Sequence, residues 1–255
     1  MTTSLVTGAT SGLGAEFARQ LAARGYDLVL VARSAERLAE LADELGSANG
    51  TSVDVMVADL GNREDLERVS ERLSSADRPI DMLVNNAGFG VTAELLDPDW
   101  SIHKQALDVM GLAVLVLGGA AGRAMRERGR GVILNVSSLS AWISQGGYSP
   151  VKAYAKSYSD GLANELHGTG VTVNALCPGW VRTEFHERAG IKTGGIPEFI
   201  WVDAERCVRE ALAHADAGKV ISLPTKRWKL AAFGLSILPG PAVRKLSRML
   251  TGSRR

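Results

Sequence analysis

The sequence predicts a single doubly wound α/β domain, in which a parallel sheet of about seven strands carries helices on both faces. The first observation behind this prediction is alternation, because short β-rich runs are followed by longer segments of helical period. The second is that these runs are apolar almost throughout, as is typical of parallel strands covered on both faces. Since crossovers between parallel strands are right-handed, the alternation favours one doubly wound sheet over separate modules.

Seven segments carry the strand pattern, and amphipathic segments lie between them. The predicted strands are Ser4–Thr7, Leu28–Ala32, Ser52–Val57, Met82–Asn85, Val132–Val136, Val171–Leu176 and Lys219–Leu223. The clearest predicted helices are Ala35–Leu45, Asn62–Leu73 and Ala204–His214. No internal repeat or Pro/Gly/Ser-rich linker precedes about residue 224. We therefore predict one domain over residues 1–224 and an extension over residues 225–255.

The composition limits the class of protein. The chain has 255 residues, of which 45% are apolar and 22% charged, as in globular proteins. Its net charge of +1 creates no global field, so we expect no nucleic-acid partner. Two cysteines are too few for a disulfide framework, and no signal peptide or apolar run of about 18 residues is present. We expect a cytoplasmic protein that forms a homo-oligomer.

A glycine-rich loop lies where the first strand becomes the first helix. Gly8 permits the tight turn, and Gly12 lets the backbone approach a pyrophosphate at the positive end of the helix dipole. The spacing G-x3-G-x-G differs from the commoner G-x-G-x-x-G. A tight turn without a ligand is the alternative, but the strand–loop–helix context favours nucleotide binding.

The end of the second strand indicates which dinucleotide binds. NAD enzymes of this topology place an acid there for the ribose 2′-hydroxyl, whereas this chain has no carboxylate between Val31 and Ser34. Arg33 instead offers a planar fork for a 2′-phosphate. We expect NADP(H) as cofactor, with NAD as the alternative.

Four further motifs make the pattern specific. They are Asn85–Gly88, Asn135–Ser138, Tyr148–Lys152 and Cys177–Thr183. Together with the glycine loop, they resemble the short-chain dehydrogenase/reductase family, whose members have a Rossmann fold, over about Ser4 to Leu223. The resemblance implies a catalytic trio of Ser138, Tyr148 and Lys152. It also implies cofactor contacts from Gly8, Ser11, Gly12, Leu13, Gly14, Arg33, Asp59, Leu60, Asn86, Gly88, Tyr148, Lys152, Pro178, Gly179, Val181 and Thr183.

The chemistry of the trio can also be argued from the residues. Reducing a carbonyl creates an alkoxide that needs a proton, and an ordinary Tyr with a pKa of about 10 exchanges protons poorly at neutral pH. Lys152 lies four residues after Tyr148 on one helical face, where its ammonium would lower the pKa of the phenol. Ser138 ends the fifth strand and would orient the carbonyl. We therefore expect NADP(H)-dependent interconversion of a carbonyl and an alcohol.

The chain departs from the family pattern in one position of the catalytic set. The usual Asn after the fourth strand is replaced by Met110, or by Asp108 if the alignment shifts by two residues. Met110 is the only feature that favours the alternative function, a nucleotide-binding sensor or scaffold with weak or no catalysis. The intact trio favours the enzyme. No His, Cys or acid has metal-ligand spacing, so we expect no metal.

Two segments bear on the substrate and on partners. The segment Trp180–Glu198, with glycines at 190, 194 and 195, is interpreted as a lid; its aromatic residues favour a hydrophobic substrate, although core packing explains them equally. The extension combines basic residues and Trp228 with the apolar run Leu230–Leu238. It would either contact an anionic membrane surface or pack on a neighbouring subunit or over the cleft.

Overall fold

The strands of the protein were assigned from a computed structural model, which describes residues 2–191, 194 and 196–252. Within these residues the strands are β1 (Thr3–Thr7), β2 (Asp27–Ala32), β3 (Val53–Val57), β4 (Met82–Asn85), β5 (Gly131–Val136), β6 (Val171–Leu176), β7 (Val181–Arg182), β8 (Val202–Asp203) and β9 (Ile221–Ser222). Seven of them form one parallel sheet in the order β3-β2-β1-β4-β5-β6-β9. The strand order reverses beside β1, which places a crevice at the carboxyl ends of β1 and β4.

The helices occupy both faces of this sheet. They are α1 (Gly12–Ala23), α2 (Ala35–Asn49), α3 (Arg63–Ser74), α4 (Ser101–Leu107), α5 (Ala113–Arg128), α6 (Tyr148–Glu165), α7 (Phe185–Arg188), α8 (Ala204–Asp216), α9 (Lys226–Ile237) and α10 (Gly240–Gly252). A π-helical turn over Asp108–Leu112 joins α4 to α5. The side chains of Ser34 and Asn62 cap α2 and α3 by accepting backbone N–H groups.

Two apolar layers cover the sheet, as the near-continuous apolar strands predict. Val6 of β1 packs in the layer that contains Phe17 and Leu21 of α1. Its neighbour Leu5 packs in the opposite layer, with Leu117 of α5. Successive residues of a strand point to opposite faces, so both residues of this pair are buried. The predicted doubly wound sheet of about seven strands is confirmed.

The element boundaries differ slightly from the sequence expectations. The strand β3 begins at Val53 rather than Ser52, and β9 is shorter than the predicted run from Lys219 to Leu223. The strands β7 and β8 form a separate two-stranded parallel sheet that the sequence pattern did not predict. Two residues are too few to show a periodic pattern, and this pair depends on contacts between distant segments.

One helical stretch is long and apolar enough to cross a membrane by length and composition. It runs over Ser101–Arg128, and 61% of its most apolar window is buried inside the protein. Such burial is the property of a core helix, and Leu117 and Met125 of this stretch are fully buried in the layer beside β5.

Candidate active site

The glycine loop is held against the end of β4 by paired backbone and side-chain hydrogen bonds. The Thr7 hydroxyl accepts the backbone N–H groups of Asn86 and Ala87 at 2.9 and 3.0 Å. The Asn86 amide donates to the carbonyls of Thr7 and Gly8 at 2.9 and 3.2 Å. Gly8 and Gly12 adopt φ values of 64° and 53°, which glycine tolerates best. The loop therefore points the N-terminus of α1 at the crevice, as nucleotide phosphates require.

Gly14 is tightly packed beneath the glycine loop. It does not line the crevice; a methyl group at this position would overlap the Gly8 carbonyl and the Asn86 amide beneath the loop. Its small size therefore allows α1 to pack tightly under the turn. Contact of the Gly14 backbone with the cofactor stays a prediction.

A single cleft brings the remaining expected residues together. It has a volume of 1610 Å³, well above the roughly 300–1,000 Å³ that is usual for one ligand, so it has room for two. Among the residues that line it are Gly8, Ser11, Gly12, Leu13, Arg33, Asp59, Leu60, Asn86, Gly88, Ser138, Tyr148, Lys152, Pro178, Gly179, Val181 and Thr183. The cleft runs from the glycine loop past β4 and β5 to an apolar end at residues 89–96.

Two cations mark the rim of the cleft after β2. Arg33 and Arg37 are exposed and line it, and neither forms an ion pair within the described part of the chain. Between them, Ser34 accepts the backbone N–H of Arg37 at 3.3 Å and begins α2. The sequence predicted Arg33 as a cofactor contact but not Arg37. A second cation four residues after Arg33 could have indicated that both side chains lie at the same rim of the cleft.

The three expected catalytic side chains lie where α6 meets the end of β5. Tyr148 is the first residue of α6, and the Ser138 hydroxyl lies close enough to its phenol to favour the ionised form. The Lys152 ammonium lies 5.6 Å from the centre of the Tyr148 ring and donates to the Val136 carbonyl at 2.9 Å. The backbone N–H of Ser140 donates to the Ser138 oxygen at 3.1 Å. These bonds fix all three side chains in one wall of the cleft.

Burial controls the ionisation of this group. It raises the pKa of Tyr148 well above the ordinary value, and the hydrogen bond from Ser138 offsets only part of the rise. Burial also lowers the pKa of Lys152 from 10.5 to about 8. The expectation that Lys152 lowers the pKa of the phenol is therefore not met in this geometry: the phenol is protonated at neutral pH, which is the form that can donate a proton.

A buried polar network ties α6 to the centre of the sheet. Asn85 donates to Asn135 at 2.9 Å, and Asn135 donates to Ser159 at 2.9 Å. Ser159 completes the chain by donating to the Ala155 carbonyl at 2.7 Å. Ser137 adds a 2.7 Å bond to the backbone carbonyl of Lys152. All four donors are buried and satisfied, so this network fixes the position and rotation of α6.

The position of the usual catalytic Asn, for which the sequence left Met110 and Asp108 as candidates, lies beside Lys152 and is occupied by Met110. Met110 is fully buried in the π-helical turn, and a side chain on Gly88 would meet both its sulfur and the Lys152 ammonium. Asp108 instead forms an ion pair with Lys104 at 2.6 Å. Of the two candidates, Met110 lies beside Gly88 and Lys152, and it packs with Val91 and Val151 in an apolar cluster.

The expected lid packs on the catalytic wall. Phe185 lies 5.9 Å from the ring of Tyr148, and His186 stacks on Trp180 at 4.7 Å. Arg188 donates to the Ser11 hydroxyl at 2.9 Å, which places a cation beside the glycine loop. The part of the lid at Lys192, Thr193 and Gly195 lies outside the described residues.

Trp228 is a cleft residue that sequence reasoning assigned only to the extension. Its indole ring packs so closely on Gly179 that any side chain at that position would collide with it. The indole nitrogen is buried and has no hydrogen-bond partner among the described residues. One face of the extension therefore packs over the cleft, which was one of the two placements expected for it.

No metal-binding cluster of His, Cys, Asp and Glu occurs within the described ranges. Cys177 and Cys207 are free and buried, and burial raises the pKa of each thiol to about 12. Neither thiol is therefore a reactive nucleophile at neutral pH.

The fold and the cleft define a dinucleotide-dependent oxidoreductase built on a Rossmann-type sheet. Comparison with known proteins agrees: the model of the short chain dehydrogenase family matches residues 2–193. The chain belongs to this family.

Individual relatives agree with that assignment. A very-long-chain 3-oxoacyl-CoA reductase of Anas platyrhynchos is 35% identical over 251 residues, which cover 87% of this chain and 76% of the relative. A short-chain dehydrogenase from Sphingobium yanoikuyae, solved in complex with NADPH, is 33% identical with a TM-score of 0.83, covering 94% of this chain and 97% of that one. The bulky-bulky ketone specific alcohol dehydrogenase from Comamonas testosteroni is 30% identical with a TM-score of 0.79, covering 94% and 96%.

Proposed function

We propose that this oxidoreductase interconverts a carbonyl and an alcohol with NADP(H), and that Tyr148 is its acid/base. The observation that carries the proposal is the convergence of Ser138, Tyr148 and Lys152 in a cleft continuous with the glycine loop. A scaffold that only binds nucleotide has no need for a buried lysine behind a half-buried phenol. Burying that ammonium costs stability, so its presence favours catalysis.

The residues suggest how the reaction proceeds. NADPH supplies the hydride when it is bound. Ser138 donates a hydrogen bond to the substrate carbonyl oxygen, and Tyr148 transfers its phenolic proton to the same oxygen as negative charge develops there. Lys152 stabilises the phenolate that remains, because its ammonium lies on the same wall of the cleft. In the oxidative direction, the phenolate takes the proton of the alcohol.

The cofactor site fits NADP(H) better than NAD(H). Two unpaired guanidiniums, Arg33 and Arg37, border the cleft after β2, where NAD enzymes place an acid. Gly8 and Gly12 leave the loop backbone accessible, and Asp59 and Leu60 line the adjacent wall for the adenine ring. Support also comes from the Sphingobium relative, whose structure contains NADPH.

A titration of both cofactors tests this preference. Tryptophan quenching by NADPH and NADH is compared between the wild type and R33A/R37A. Removing two phosphate contacts should weaken NADPH binding by at least about 100-fold, since charge-assisted hydrogen bonds contribute about 1.5–3 kcal/mol each, while NADH binding stays within a factor of about three. Arg63→Ala, which removes an exposed cation on α3, is the matched control. Equal losses for both cofactors would contradict the assignment of the 2′-phosphate site.

The remaining space in the cleft fits a bulky, apolar carbonyl compound. Beyond Tyr148 its walls are formed largely by apolar side chains, and Leu95 and Leu96 are 66% and 91% exposed at the opening. Other apolar lining residues are Phe89, Val91, Ile143, Phe185, Ile196 and Ile200. The names of two relatives, a very-long-chain 3-oxoacyl-CoA reductase and a bulky-bulky ketone specific alcohol dehydrogenase, support large substrates.

A ketone series tests the substrate class together with the acid/base. Turnover of NADPH is measured with acetone, acetophenone, benzophenone and a long-chain 3-oxoacyl thioester. We expect kcat/KM to rise with apolar size, and Tyr148→Phe to lower kcat by about 10²–10⁴-fold, the usual contribution of general acid catalysis. Tyr154→Phe removes the hydroxyl of an exposed tyrosine on the same helix and should retain activity. A Tyr148→Phe enzyme of full activity would exclude the proposed role.

Assembly and location stay predictions. We propose a homo-oligomer in the cytoplasm, and light scattering of the purified protein together with fractionation of cells that express it would test both.

A further inference from the structure

The last two helices carry an outward apolar face. Leu230, Phe233 and Ile237 of α9 are spaced i, i+3 and i+7, so they lie on one side of the helix. They are 72%, 62% and 67% exposed. We call these three residues the α9 outer face. Single exposed apolar residues are normal on protein surfaces, but three in register on one helix indicate a contact surface.

The opposite side of α9 is already occupied. Ala232 is buried, and Trp228 packs on Gly179 in the wall of the cleft. The following helix α10 is anchored separately, since the backbone N–H of Ser144 donates to the Ser247 hydroxyl at 3.0 Å. The orientation of α9 is therefore set by packing, and the outer face is the side turned to solvent.

The same two helices are strongly basic. No acidic residue follows Asp216, and the described part of the extension carries six exposed cations. These are Lys226, Arg227, Lys229, Arg244, Lys245 and Arg248. The remainder of the chain has a net negative charge, so the positive charge is concentrated on the helices that carry the apolar face.

We propose that the α9 outer face and the surrounding cations bind the surface of an anionic lipid bilayer. An α-helix of 12 residues is about 18 Å long, too short to cross a membrane, so α9 would lie in the plane of the interface. Its apolar side chains enter the acyl region, while the lysines and arginines meet the negative headgroups.

Charge decides between a bilayer and a second copy of this chain. A two-fold interface places the same patch on both subunits, so a dimer through α9 would bring two sets of six cations together without an acid in the extension. Like charges across an interface are destabilising. Anionic lipid, by contrast, complements both the apolar and the cationic part of the surface.

Sedimentation of the full chain with vesicles tests the proposal. The wild type should co-sediment with vesicles that contain phosphatidylserine and only weakly with phosphatidylcholine alone. L230S/F233S/I237S should lower the partition coefficient at least about tenfold through the loss of apolar insertion. K226Q/R244Q/K245Q should lower it by roughly 100-fold, because each cation near an anionic surface contributes about fivefold.

Controls separate lipid binding from misfolding and from self-association. V55S/L107S removes two exposed apolar side chains on β3 and α4 and should sediment like the wild type. The urea midpoint of the α9 variant should match that of the wild type, and neither this measurement nor sedimentation depends on the proposed reaction. Wild-type protein that stays in the supernatant overturns the proposal. The proposal is also overturned if the serine variant sediments with vesicles like the wild type. It is overturned as well if the wild type is a dimer and the serine variant is a monomer.

Discussion

Replacing the buried lysine should stabilise the protein at neutral pH while it abolishes the proposed chemistry. Lys152 is 4% exposed, and burial lowers its pKa from 10.5 to about 8. In the unfolded chain the ammonium is fully hydrated and keeps its ordinary pKa. The protonated form is therefore less favourable in the folded protein than in the unfolded one, and Lys152→Met removes this cost with a side chain of similar length.

The change in the free energy of unfolding caused by Lys152→Met follows from two contributions, the pKa difference of Lys152 and its hydrogen bond to Val136. A shift of about 2.5 pKa units corresponds to about 3 kcal/mol of lost stability. The substitution also leaves the Val136 carbonyl without the 2.9 Å bond from the ammonium, which costs about 1–2 kcal/mol. The variant should therefore be more stable than the wild type by about 1–2 kcal/mol at pH 7.

The pH dependence has a defined sign. Below pH 8 the lysine is protonated in both states, so the full cost is present. Between pH 8 and 10.5 the folded protein releases its proton while the unfolded chain retains it, and the cost disappears. Near pH 10 less than about 1 kcal/mol of the cost remains, so the loss of the hydrogen bond outweighs it. The variant should thus become the less stable protein by about 1 kcal/mol at that pH.

Urea unfolding at pH 7 and pH 10 measures this crossover. Lys104→Met, which removes an exposed lysine from an ion pair, should change stability by less than about 1 kcal/mol at pH 7. A Lys152→Met protein that is destabilised equally at both pH values would refute the reasoning, because burial of charge would then not explain the shifted pKa.

Three further substitutions test other parts of the site. Gly14→Ala should destabilise the protein by about 1–3 kcal/mol in urea unfolding, because its methyl overlaps the Gly8 carbonyl; Gly46→Ala, in an open helical position, should instead stabilise by about 0.5–1 kcal/mol. Trp228→Ala removes an aromatic ring that lines the cleft against Gly179, and should raise the Kd for NADPH about fivefold in an equilibrium titration, as for about 1 kcal/mol of lost apolar contact. Met110→Asn buries an amide among apolar side chains and should lower the free energy of unfolding by about 1–3 kcal/mol. A stable Gly14→Ala protein, an unchanged Kd or an unchanged Met110→Asn midpoint would contradict the respective explanation.

The features that sequence reasoning predicted correctly are local ones. The strands, the glycine turn at Gly8 and the helical register of Tyr148 and Lys152 each depend on residues within a few positions of one another. The parallel topology then brings the ends of β1, β4 and β5 to one edge, so separate motifs converge. For this reason most of the cleft followed from motif order and from strand ends.

The features that could not be predicted from the sequence depend on contacts between distant parts of the chain. Trp228 meets Gly179, and Arg188 reaches Ser11 across 177 positions of sequence. Nothing in the local pattern around either residue indicates its partner. Gly14 illustrates a mixed case: its motif position was recognised from the sequence, and the packing adds that only glycine fits beneath the loop.

Transfer of deuterium tests the central claim most directly. The enzyme is incubated with a bulky aryl ketone and NADPH carrying deuterium at the reactive C4 position, and the alcohol is analysed by mass spectrometry. We expect one deuterium on the carbinol carbon with the wild type, and a rate lower by about 10²–10⁴-fold with Tyr148→Phe, which should bind NADPH normally. Absence of label from the wild-type product of every ketone tried, or equal rates for the two proteins, would contradict the account.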